Sequence, residues 1–69
     1  MKHMPSSAIL REVIHLYGVS DRLDALAAEH PVVSDALLVI SGSVRNTATL
    51  LEVLVVTKMA PVPPLDPAN

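Results

Sequence analysis

Sixty-nine residues without cysteine, phenylalanine or tryptophan exclude disulfide staples, thiolate metal sites and the aromatic platforms on which single strands of nucleic acid stack. Seven acids against five bases leave a net charge of −2, and no basic cluster offers the phosphate neutralisation that supplies most non-specific nucleic-acid affinity. A chain of this size buries only about 60% of its unfolded surface, yet 51% of its residues are apolar and 17% charged, against about 25% charged in ordinary soluble domains.

Residues 1–5 read as a flexible N-terminus, too short and polar for the 7–15-residue apolar region of a signal peptide. The first helix is expected over residues 6–17, where Ile9, Leu10, Val13, Ile14, Leu16 and Tyr17 recur on one face. Pro5 and two serines suit its start and Gly18 suits its stop. Arg11, Glu12 and His15 share the opposite face.

Ser20 reads as the N-cap of a second, short helix, with Asp21 and Asp24 in the first turn, where carboxylates interact well with the helix dipole. Leu23, Leu26, Ala27 and His30 line one side. Pro31 ends or kinks it, because the residue before proline is pushed out of the α region. A third segment, residues 32–41, presents Val32, Val33, Ala36, Leu37, Val39 and Ile40 on a wide face and closes at Gly42. Leu38 sits on its other side with Ser34, Asp35 and Ser41.

The last segment, residues 43–59, carries a stripe of Val44, Ala48, Leu51, Leu54, Val55 and Met59, with Val53 and Val56 near the back. Thr49 to Glu52 also fits a capping box, which would start the helix only there. Apolar residues on both sides call for burial on both sides. The β-branched run over residues 53–57 suits a buried strand as well, paired across 42–46 with residues 37–41. Four prolines then fill residues 60–69, an extended tail with a weak P-x-x-P match at 61–64.

The expected fold is therefore all-α: a single domain over residues 6–59, with three to four short helices in a small bundle completed by oligomerisation. The alternative is an α+β form with two helices and a C-terminal hairpin. Lacking disulfides and a closed zinc site, so small a domain is stabilised by a partner chain. A two-fold dimer or a higher symmetric assembly is the default. Leu38, Val53, Val56 and Met59 are the expected interface, with Leu51, Leu54 and Val55 in the core below. Asp35, Arg45 and Glu52 interrupt the apolar residues 32–56, so a membrane span, which needs about 20 predominantly apolar residues, is not expected. The cytoplasm is the expected compartment.

Chemistry-bearing patterns are sparse. Glu12-x-x-His15 has the i, i+3 spacing of dinuclear carboxylate sites, and a dimer would supply two copies; both residues nevertheless point away from the apolar stripe. A metal or enzymatic site shared between subunits is thus a second alternative function. His30 falls on the apolar side of its helix, where a histidine acts as a switch when buried or, more commonly, hydrogen-bonds at a helix end. Ser20, Ser34, Ser41 and Ser43 read as capping or surface residues, and two glycines cannot build a phosphate loop. Arg45 is read as structural, paired with Glu52 or a partner's carboxylate at position 35. No catalytic residue, cofactor or metal ligand is assigned.

Leu26-Ala27-Ala28-Glu29-His30-Pro31-Val32-Val33-Ser34-Asp35-Ala36 resembles the middle of a helix-turn-helix. The resemblance implies a small regulatory DNA-binding protein as the first alternative function. Its recognition helix would have to present polar or basic side chains to DNA, whereas this one would present Leu37, Leu38, Val39 and Ile40, with Asp35 as its charge. The function expected first is a non-enzymatic, homo-oligomeric interaction or scaffold module.

Overall fold

In the computed structural model, residues 5–59 are described. The readings for residues 1–4 and 60–69, including the P-x-x-P match, lie outside the described residues, as does the side chain of Met59.

The protein is all-helical, but it is built from two long helices rather than three to four short ones. Helix α1 spans Pro5–Glu29, a 3₁₀ turn follows at Pro31–Val33, helix α2 spans Ser34–Leu54, and one π-helical turn closes at Val55–Met59. No strand occurs among the described residues, and residues 50–57 are helical. Pro31 does end α1, as expected: His30 leaves the helix at φ −131° and ψ 81°, the extended region to which a following proline confines its neighbour. His30 also seals the helix end. Its ring Nδ1 donates to the Leu26 carbonyl oxygen at 2.9 Å, one of the last-turn carbonyls that a helix leaves unpartnered.

Three local signals were overridden. Gly18 does not stop α1, Ser20 does not cap a new helix, and α2 runs unbroken through Gly42 and Thr49. A glycine inside a helix costs only about 1 kcal/mol, and no proline lies between Pro5 and Pro31 or inside α2. Continuous packing of one helix against the other outweighs the local penalties.

That packing follows a seven-residue repeat. Val13, Ser20 and Ala27 are buried on α1, and Ser41, Ala48 and Val55 are buried at the same spacing along the following segment. Between them lie half-buried Ile9, Leu16 and Leu23 on one helix and Leu37, Val44 and Leu51 on the other. This is the a/d pattern of a coiled coil, folded back on itself as an antiparallel hairpin. At the serine pair the two helices are hydrogen-bonded directly. Ser41 Oγ donates to the Ser20 carbonyl at 3.0 Å, and the two hydroxyl oxygens are 2.7 Å apart. Ser20 Oγ lies 3.3 Å from the Ser41 carbonyl. Each hydroxyl thus reaches the other helix's backbone, which only small residues at the contact allow. The pairing sets the register: Val13 falls opposite Ala48, and Ala27 opposite Ser34.

Candidate functional site

The two helices leave two long edges, and their chemistry differs. On one edge Tyr17 donates to Glu52 Oε1 at 2.8 Å, with its oxygen 3.1 Å from Thr49 Oγ1. Further along the same edge Arg45 Nη2 lies 3.3 Å from both Asp21 Oδ1 and Asp24 Oδ2. Arg45 therefore pairs across the hairpin within its own chain, with Asp21 and Asp24 rather than with Glu52. Glu52 is engaged by Tyr17 rather than closing a capping box. The expectation failed because the helices align in a register that periodicity alone did not reveal.

These ion pairs are solvated: the side chains of Arg45, Asp21 and Asp24 are 47%, 78% and 42% exposed. Exposed pairs of this kind contribute up to about 1 kcal/mol. Arg45→Ala is expected to lower the unfolding free energy by only about 0.5 kcal/mol. A urea titration followed by circular dichroism measures this, and a loss of several kcal/mol would show that the edge carries the fold.

The opposite edge carries one acid among mostly apolar side chains. Glu12, Val19 and Leu26 directly precede buried Val13, Ser20 and Ala27, while Ile40, Thr47 and Leu54 directly precede buried Ser41, Ala48 and Val55. One residue is about 100° of helix, which turns all six away from the ion-pair edge. Leu26, Ile40 and Leu54 are 42%, 51% and 41% exposed.

The residues expected at an interface do not form one patch. Val53 and Val56 are exposed and share a shallow open groove of about 330 Å³ with Thr49, Glu52 and Thr57. Leu38, also exposed, sits fifteen residues earlier, about 22 Å along the helix. Of the expected core, Val55 is buried, Leu51 half-buried and Leu54 exposed.

Glu12 and His15 are exposed on α1, and no three His, Asp or Glu side chains converge among the described residues. His30 is exposed and committed to Leu26. The buried Ser20 and Ser41, read from the sequence as capping or surface groups, satisfy each other and have no histidine or carboxylate among their hydrogen-bond partners. The turn at Pro31 also departs from a helix-turn-helix, whose helices meet at about 90–120°; here α2 lies antiparallel against α1. By length and composition alone, Pro31–Lys58 is long and apolar enough to cross a membrane. Compared with known protein families, curated proteins and solved structures, the chain finds no match.

Proposed function

We propose that this protein is a small, non-enzymatic interaction module of the cytoplasm that completes its core by associating with copies of itself. The observation that carries the reading is an imbalance of burial. Among the described residues four apolar side chains are buried, Val13, Ala27, Ala48 and Val55, and two of them are alanines. Among the same residues twelve Val, Leu and Ile side chains stay at least 40% exposed, with 72% at Ile14, 71% at Val39 and up to 97% at Val32. Scattered apolar residues on a surface need no explanation, but so many on a hairpin with so thin a core leave it marginal alone. Small domains without disulfide or metal gain stability from association.

The test is the mass in dilute solution by light scattering, across a concentration series. A mass of two or more 7.3 kDa chains is expected, together with a melting temperature that rises with concentration, as linkage requires. A chain that remains a single copy at every concentration, with a concentration-independent melt, overturns the reading.

A further inference from the structure

We infer that the seam between α1 and α2 also closes between chains: two copies exchange arms, so that α1 of each packs on α2 of the other. This goes beyond the proposed self-association, which draws on exposed side chains, whereas the exchange uses the buried ones. The seven-residue repeat keeps its phase through the turn. Half-buried Ser34 follows buried Ala27 at seven residues, and half-buried Leu37 follows half-buried Leu23 at fourteen. Reversing the chain does not require that phase, but joining α1 and α2 into one helix with a single stripe does. Two such chains, antiparallel about a two-fold axis, reproduce each contact of the hairpin. The seam itself fixes the occupant: α2 accepts α1, and the α1 of a second copy is chemically identical.

The turn has little to lose on opening. None of Pro31–Val33 is buried, and Val32 is 97% exposed. Its backbone bonds are the Val33 N–H on the His30 carbonyl at 3.1 Å and the Ser34 N–H on the Pro31 carbonyl. Helix α2 starts from Val33 without a side-chain cap, so its first N–H groups and the last carbonyls of α1 lack helical partners. In a joined helix the Val32 and Val33 N–H groups donate to the Ala28 and Glu29 carbonyls, four residues earlier. Pro31 opposes the joining, because its ring crowds the Ala27 carbonyl and kinks the helix there. The contacts of the seam are otherwise the same in both states, so concentration decides between them. A short connection holds its two arms at an effective concentration on the order of millimolar, and the exchanged pair forms as the chain concentration approaches that value.

The experiment mixes Ser20→Cys chains with Ser41→Cys chains, in a protein that has no cysteine of its own. The two hydroxyl oxygens are 2.7 Å apart, close enough for sulfurs in their place to bond after a small adjustment. In a closed hairpin each thiol faces a serine of its own chain, and only exchange sets the two thiols against each other. After equilibration at about 1 mM a disulfide-linked pair of unlike chains should accumulate, and a roughly hundredfold dilution before oxidation should remove most of it. Ser20→Cys mixed with Val13→Cys, two thiols on α1 that oppose each other in neither state, measures chance encounters. A linked pair no more abundant than in that control overturns the exchange. A wild-type mass that rises with concentration, without the link, overturns the exchange and leaves the self-association standing. A single copy at every concentration overturns both. Should either variant lose its helices by circular dichroism, small-angle scattering of the wild type over the same concentrations decides. The helical part lengthens as the exchanged pair forms, and an unchanged longest dimension overturns the inference.

Discussion

Ala48→Leu is expected to pry the hairpin apart. Ala48 is fully buried, and the register sets it opposite Val13, so the larger side chain has no space to enter without separating the helices. Overpacking of this kind costs about 1–3 kcal/mol. Separation also lengthens the nearby serine contacts, and a buried hydroxyl left without a partner costs a further ~1–3 kcal/mol. In a domain of this size each kcal/mol is about 4–8 °C in the melting temperature. A fall of at least about 10 °C, or loss of the cooperative transition, is therefore expected in a thermal melt by circular dichroism. An unchanged melt would mean that the helices are not held close at this level.

Pro31→Ala is expected to open the hairpin into a longer object with the same contacts. The seven-residue repeat does not change phase at the turn: Val13, Ser20, Ala27, Ser34, Ser41, Ala48 and Val55 follow at constant spacing through it. Without proline, His30 is free to enter the α region, and α1 and α2 can join as one helix of about 50 residues, about 75 Å long. Two such helices, antiparallel, recover every pairing of the hairpin between copies, with Ser20 of one against position 41 of the other. This is a domain swap through the hinge loop. Small-angle scattering should show the longest dimension of the helical part roughly doubling, from the ~38 Å of the 25-residue α1. An unchanged dimension would place the origin of the fold-back in the His30–Leu26 bond and the helix contacts rather than in proline.

Much of this architecture was legible in the residues, and the reason is local. A helix start near Pro5, the break before Pro31 and the helical period of residues 43–59 are properties of a few neighbours at a time, so periodicity reports them. The β-branched run at residues 53–57 was ambiguous because strand preference reflects packing against a sheet, and no sheet forms among the described residues. Gly18, Ser20 and Gly42 misled because each is a valid boundary signal in isolation. The signal that could have corrected them is the spacing of small residues, Ser20 to Ala27 and Ser41 to Ala48, at the interval that an apolar stripe would occupy. Small and polar residues at those positions do not register as a core in a hydropathy reading, although all four are buried between the helices.

By itself, then, the amino-acid sequence determined that the chain is helical, that it turns at Pro31, and that its apolar content exceeds what a small core can hide. Backbone preference and composition decide such things without reference to distant residues. Tertiary structure alone decided that α1 and α2 each run unbroken, that Ser20 and Ser41 are buried together, and that Arg45 joins Asp21 and Asp24. Those features depend on which residue of one helix meets which of the other, and an antiparallel register comes into existence only when the helices close on each other.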